Sequence, residues 1–313
     1  MIRDKRCVVA LCTSIASRQQ WRRVVASVVE GSSAFREGSL EMGMLDGKVA
    51  FITGAARGQG RSHALRLAEE GADIVAIDLC GQIDSVPYQL GTSEDLEQTV
   101  KAVEALGRKI VARETDVRDA PGLKHVVSEA TSALGPINII VANAGIATAF
   151  SKVDPETAFR DVLDVNLVGV WNTVIAAAPS MQQAGKGGAI VLISSTQGLK
   201  GTGGDGTAGH CGYAASKHGI IGLMRSFAHW LAEYNIRVNT LHPTGVETPM
   251  IMNEAISACF ESNPRAAEVA TNLLPVPMIQ PADVSDAVLW LVSDQAKYVT
   301  GVTLPIDAGF SAR

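Results

Sequence analysis

The chain has 313 residues, 47% of them apolar and 19% charged, a composition that can bury a sizeable core and excludes a disordered chain. A net charge of -5 argues against nucleic acid as the main partner, because phosphate binding needs a basic surface. No apolar run approaches the roughly 20 residues needed to span a bilayer.

Residues 1–43 differ from the remainder. They hold seven Lys/Arg against four acids, while the rest of the chain carries 20 against 28. Trp21, Val24, Val25, Val28 and Val29 would share one helical face beside Arg18, Arg22 and Arg23. A basic start followed by Cys7 to Ala16 only faintly resembles a secretory leader. This stretch is expected to be a loosely attached tail, or an over-called start with Met42 or Met44 as the first residue, and to carry no chemistry. The cysteines (Cys7, Cys12, Cys80, Cys211 and Cys259) are odd in number with no C-x-x-C pair. Neither a disulfide framework nor a metal site is expected, and a reducing cytoplasm is the natural setting.

From Lys48 the chain alternates strand and helix. Lys48 to Thr53 is an apolar strand, Gly58 to Gly71 a helix, and Ile74 to Asp78 a second strand. Ser93 to Leu106 is a helix with Ser93 as N-cap, followed by a strand at Ile110 to Ala112 and a helix near Gly122 to Leu134. The strand Ile137 to Ala142 precedes a long helix at Pro155 to Gln183, then come the strand Ala189 to Ser194 and a helix from Tyr213 to Tyr234. The strand Ile236 to Leu241, the helix Pro281 to Val292 and the strand Val302 to Ile306 complete the series. Continuous apolar strands separated by helices predict a single α/β domain over 44–313, a doubly wound Rossmann fold with a mostly seven-stranded parallel sheet.

Thr53-Gly54-Ala55-Ala56-Arg57-Gly58-Gln59-Gly60 follows the first strand and opens the first helix. Glycines there allow a tight turn and let backbone N–H groups approach a pyrophosphate. Asp78 ends the second strand 18 residues beyond Gly60. A carboxylate there accepts ribose hydroxyls and repels a 2′-phosphate, which favours NAD over NADP. Arg57 pulls the other way, since a guanidinium near that ribose could hold a phosphate, but Arg57 can turn to solvent.

Tyr213 and Lys217 are spaced i,i+4 on a helix, so phenol and ammonium share a face. A nearby positive charge, together with a bound nicotinamide cation, would lower the phenol from its usual value near ~10. Ser194 and Ser195 close a strand upstream, and alternation sends only one of the two hydroxyls towards the site.

With TGAARGQG (53–60), DV (116–117), NAGI (143–146), Asn166, ISS (193–195), YAASK (213–217) and VTGVTLPIDAG (299–309), the chain resembles the short-chain dehydrogenases/reductases from about Leu45 to Arg313. That resemblance implies Tyr213 as general base, with Lys217 lowering its pKa and holding the nicotinamide ribose. It implies Ser195 as the group orienting the substrate oxygen, and Asn166 as holder of a water that relays the proton. Asp116 and Val117 would flank the adenine, while Gly54, Arg57, Gly58, Gln59, Gly60, Asp78, Leu79, Asn143, Ala144 and Gly145 would line the cofactor. Pro243, Gly245, Val246 and Thr248 would complete its nicotinamide end, Thr248 meeting the carboxamide.

Three features narrow the resemblance to the mycofactocin-coupled group, which includes carveol dehydrogenases: the long stretch after Asp78, Thr244 where glycine commonly follows the proline, and HGIIGLMRSFA. It implies oxidation of a secondary alicyclic or terpenoid alcohol to a ketone, NAD held under a Gly81 to Thr92 lid, mycofactocin as electron carrier, and a homotetramer packed through the two long helices. An ordinary NAD(P)-exchanging reductase and a non-catalytic NAD-binding regulator are the alternatives. Seventeen residues lie between Ser195 and Tyr213, so the glycine-rich Gly201 to Cys211 is expected to bulge out as a loop at the substrate entrance, with His210 a loop residue. Apolar residues of Pro249 to Leu274, Met250 and Met252 among them, would help to wall an apolar substrate.

Overall fold

A computed structural model describes residues 43–149, 151–202, 206–262 and 268–313. The basic stretch 1–42 lies outside the described residues, as do Phe150, residues 203–205 and the side chain of Cys259. The elements run β1 (Val49–Thr53), α1 (Gly58–Glu69), β2 (Asp73–Asp78), α2 (Ser93–Ala105), β3 (Ile110–Glu114), α3 (Ala120–Leu134) and β4 (Ile139–Ala142). Then follow α4 (Pro155–Leu163), a π-turn (Asp164–Val168), α5 (Gly169–Ala184), β5 (Gly188–Ile193), α6 (Ala208–Leu231), β6 (Ile236–Pro243), α7 (Glu254–Ser262), α8 (Pro281–Val292) and β7 (Thr303–Ile306).

The strands form one seven-stranded parallel sheet in the order β3-β2-β1-β4-β5-β6-β7. The order reverses between β1 and β4, and ligands of such sheets bind beyond the strand C-termini at that switch point. Every residue of β1 and β4 is buried, as strands covered on both faces require. One apolar cluster, including Phe51, Ile140, Val174 and Met224, fills one face; Ile52, Leu67, Val141 and Val288 belong to the other.

Local chemistry sets the helix ends. Asp154 caps α4 by accepting from the Glu156 and Thr157 amides, both at 3.1 Å, with Pro155 in the first turn, where its missing N–H costs nothing. Thr92, rather than Ser93, caps α2: its hydroxyl accepts from Asp95 N and Asp95 returns to Thr92 N, both at 3.1 Å. The hydroxyl three residues before an acid was the better sequence signal. The expected long helix is interrupted by the π-turn, and α4 through α5 is apolar and long enough to cross a membrane. Most of that apolar stretch is buried inside the fold, which explains its composition.

On the other face, α1 packs on α8. His63 is fully buried there, its Nδ1 2.8 Å from Ser285 Oγ, and Ser285 donates to the Pro281 carbonyl at 2.9 Å. Burial lowers the His63 pKa from 6.5 to about 3, so the folded chain holds it neutral. Because the folded value lies below the unfolded one, the stability this residue confers is complete above pH 6.5 and is lost as pH falls towards 3. Unfolding measurements should show a slope approaching roughly 1.4 kcal/mol per pH unit in that window. His63→Gln should flatten it; an unchanged slope would mean that other groups control acid unfolding.

Candidate active site

The first turn beyond β1 is held by contacts that only glycine permits. Gly58 has φ +56, and a Cβ on Gly60 would lie 1.9 Å from the Gly54 carbonyl oxygen. No side chain caps α1, and Arg57 before it is extended. Backbone N–H groups at that end are therefore open to an anion. Gly54, Arg57, Gly58, Gln59 and Gly60 line a cleft of about 160 Å³ together with Asp78, Leu79, Asp116, Val117, Asn143, Ala144, Gly145 and Thr248.

Asp78 accepts from Ala56 N at 2.9 Å and Cys80 N at 3.3 Å. Burial raises its pKa, opposed by those two hydrogen bonds and by the charge of Arg57. Arg57, half-buried, donates from its guanidinium to the Gln89 carbonyl in the segment Gly81 to Thr92. That segment is organised from within. Gln82 Nε2 donates to the carbonyls of Ile83, Val86 and Tyr88 at 3.1–3.2 Å, and Gln82 Oε1 accepts from Leu90 N at 3.0 Å. Ser85 donates to Asp161 at 2.6 Å, and the Tyr88 hydroxyl accepts from Ala147 N at 3.0 Å. Ile83, Tyr88, Leu90 and Gly91 thereby close one side of the cleft.

Beyond β5 and along α6 a second cavity opens, of about 770 Å³, within the range of small-molecule sites. Ser195, Tyr213 and Lys217 line it with Pro243, Gly245, Val246 and Thr248. Ser195 and Tyr213 face this cavity together, and the Ser195 hydroxyl accepts from Gln197 N at 3.2 Å. Lys217 Nζ lies 5.6 Å from the Tyr213 ring centre and donates to the Ile193 carbonyl at 3.0 Å. The Ser194 hydroxyl is engaged by the backbone, donating to the Lys217 carbonyl at 2.8 Å. The cavity wall is largely apolar, with Ile251, Ile256, Leu274, Val276 and Met278.

The Tyr213 phenol is held above its ordinary value by burial, opposed by the nearby Ser195 hydroxyl. Burial also lowers Lys217 to about 8, so its charge is itself weakened. Asn166 lines neither cavity. Its Oδ1 accepts from Ile146 N at 2.8 Å and its Nδ2 donates to Ile146 O at 2.9 Å, so the side-chain amide pins the segment beyond β4. It does so from the π-turn, a feature frequent at functional sites. The stretch expected to bulge before Tyr213 is partly helix: α6 begins at Ala208, and Gly209 packs so closely on the Thr148 carbonyl that a Cβ would lie 2.4 Å from it. His210 is therefore helical, and it lines the larger cavity one turn from Tyr213.

Sequence reasoning gave no role to His242. It is buried, with Nδ1 2.8 Å from the Ser195 carbonyl and Nε2 2.8 Å from Thr240 Oγ1. It fixes the backbone of Ser195, and burial lowers its pKa. Only its place beside a proline at the end of β6 could have hinted at this.

Residues 48–257 match the short chain dehydrogenase family. The chain is 48% identical to (-)-trans-carveol dehydrogenase of Rhodococcus erythropolis over 86% of its length and 99% of that enzyme. Among solved structures, carveol dehydrogenase from Mycobacterium avium in complex with NAD aligns with TM-score 0.80 and 47% identity, covering 87% of this chain and 100% of that one. A short chain dehydrogenase from Mycobacterium paratuberculosis bound to NAD aligns with TM-score 0.80 and 46% identity over 87% of this chain and 100% of that one.

Proposed function

The chain belongs to the short-chain dehydrogenases, and from that premise we propose that it is an NAD-dependent oxidoreductase that converts a secondary alicyclic alcohol of the carveol kind to its ketone. The observation that carries this reading is the meeting of the Ser195 hydroxyl, the Tyr213 phenol and Lys217 on one wall of an apolar cavity continuous with the glycine-lined cleft. The residues fit a dinucleotide: the uncapped start of α1 suits a pyrophosphate, and Asp78 lies where ribose hydroxyls would be accepted. Bound NAD would supply the acceptor for the hydride leaving the carbinol carbon.

The protein's part is to orient and deprotonate. Ser195 Oγ holds the substrate oxygen, its backbone fixed by His242. Tyr213 as phenolate takes the hydroxyl proton, and Lys217 stabilises that phenolate from the adjacent turn of α6. Asn166 positions residues 145–147 at the cavity floor. Turnover of carveol with NAD, followed by absorbance at the reduced cofactor's band, tests the reading. Absence of oxidation across cyclic secondary alcohols by protein with NAD bound would overturn it. Asp78→Ala should weaken NAD binding by about tenfold or more and erase the discrimination against NADP, read by calorimetry with both. Equal preference before and after would remove Asp78 from the ribose site.

Within this reading we assign to Gly81 to Thr92 the role of a lid that keeps NAD bound through turnover, with mycofactocin removing the electrons. Supporting it are the internal Gln82 staple, the Arg57 bond to Gln89 and the Tyr88 bond to Ala147. Purified protein should release dinucleotide only on denaturation, and Arg57→Ala should hasten its exchange roughly tenfold, measured with labelled NAD. Protein that carries none, yet turns over quickly with added NAD, would remove the lid and carrier while sparing the dehydrogenase. We also propose a homotetramer and a cytoplasmic setting. Exposed Val168 and Trp171 near the start of α5, with Trp230 on α6, support the first; the free thiols of Cys80 and Cys211 fit the second.

A further inference from the structure

The two cavities share Gln59, Asn143, Gly145, Thr248 and Met250 as lining residues. Any molecule running from Asp78 to Tyr213 must cross this junction. Asn143 Nδ2 is engaged with the carbonyls of Thr53 at 2.9 Å and Gly54 at 3.3 Å, and Thr248 Oγ1 donates to Val246 O at 3.3 Å. Gln59 differs, because its Oε1 is buried and accepts no hydrogen bond among the described residues. A buried acceptor without a donor is costly and rare in a folded protein. The turn itself does not require a glutamine, since Gly58 and Gly60 meet its backbone demands. An apolar side chain could occupy position 59 without leaving an acceptor unpaired.

We propose that the Gln59 side chain is the acceptor for the carboxamide N–H of the nicotinamide ring, and that it makes the site select the amide form of the dinucleotide over its carboxylic acid analogue. This rests on the NAD-dependent reading above. The terminal torsion of glutamine is soft, so a small rotation presents Oε1 to a donor arriving at the junction. The carboxamide is a donor that NAD carries at its reacting end, and the acid analogue replaces it with a carboxylate that Oε1 would repel. Thr248 stands beside the same turn, its Cγ2 3.4 Å from where a Gly58 Cβ would be, and like Gln59 it lines both cavities.

The test is competition for binding. Wild type, Gln59→Leu and Gln59→Glu are equilibrated with equal NAD and nicotinic acid adenine dinucleotide, washed and denatured, and the released dinucleotides are quantified by chromatography. ADP-ribose affinity, measured by calorimetry, reports the site without the nicotinamide end, and circular dichroism reports the fold. Wild type should retain NAD in about tenfold or greater excess, and Gln59→Leu should bring the ratio near unity with ADP-ribose affinity unchanged. Gln59→Glu, which keeps an acceptor, should preserve or sharpen the preference. An unchanged ratio in a folded Gln59→Leu protein overturns the proposal, as does loss of preference in Gln59→Glu. Equal loss of NAD and ADP-ribose would overturn it in favour of a role at the pyrophosphate. Capture of no dinucleotide by wild type would remove the NAD reading itself and this inference with it.

Discussion

Replacing Tyr213 by phenylalanine is expected to lower kcat for alcohol oxidation by roughly 10²–10⁴-fold, the span that general acid–base catalysis contributes. The ring would remain, packed against the apolar cluster that includes Ile140 and Met224, so the fold should survive. What is lost is one hydroxyl on the wall that Ser195 shares, the group proposed to take the substrate's proton. The glycine-lined cleft proposed for the pyrophosphate and adenosine end lacks Tyr213 among its lining residues, so most of the dinucleotide's contacts should survive the change. Single-turnover absorbance at saturating substrate, beside the quantity of dinucleotide bound, separates these outcomes. A folded, loaded variant with wild-type turnover would strip Tyr213 of its part and leave the site without a base. A regulator that only senses NAD would keep its output in this variant, so the same protein separates enzyme from sensor.

Much of the architecture could be read from the chain because buried parallel strands leave continuous apolar runs, and glycine-rich turns leave gaps between them. Ile74 to Asp78 is such a run, and its register beside β1 brings Asp78 to the mouth of the cleft. Helix boundaries were less legible where two chemistries competed. Ser93 and Thr92 can both cap, and Thr92 prevails because Asp95 stands three residues on and returns its hydrogen bond. The glycine-rich stretch before Tyr213 looked like a loop, yet glycine at position 209 is what lets the first turn of α6 lie against the Thr148 carbonyl. Composition records a low helix propensity there and not the close approach that demands it.

Side-chain roles were legible only as far as local spacing determines them. The i,i+4 spacing of Tyr213 and Lys217 survives in the structure, but burial shifts both groups towards their neutral forms. Burial depends on what other elements bring against α6, and no local pattern contains that. Asn166 shows the same limit: its amide is held by Ile146, twenty residues away in the chain. Arg57 likewise finds its partner in the long segment after β2, where sequence offered only the cofactor or solvent.

Those two neutralising shifts determine how oxidation should vary with pH. In the free protein Lys217 titrates near 8 and Tyr213 above its ordinary value, so the first proton leaves chiefly from the lysine. The active arrangement, phenolate beside ammonium, is a minor form with the same net charge as the major one, phenol beside neutral amine. Its population therefore rises through the pair's first titration near pH 8 and falls only above the second. The profile of kcat/KM for alcohol oxidation should climb towards pH 8, level off, and decline beyond ~10, because this parameter reports the free protein's groups. Lys217→Met removes the first titration and the charge that holds the phenolate. The climb should then move above ~10, and kcat/KM at pH 7 should fall by roughly a hundredfold or more. If the variant kept a climb near pH 8, another group would control that limb, and Lys217 would serve only to hold the Ile193 carbonyl.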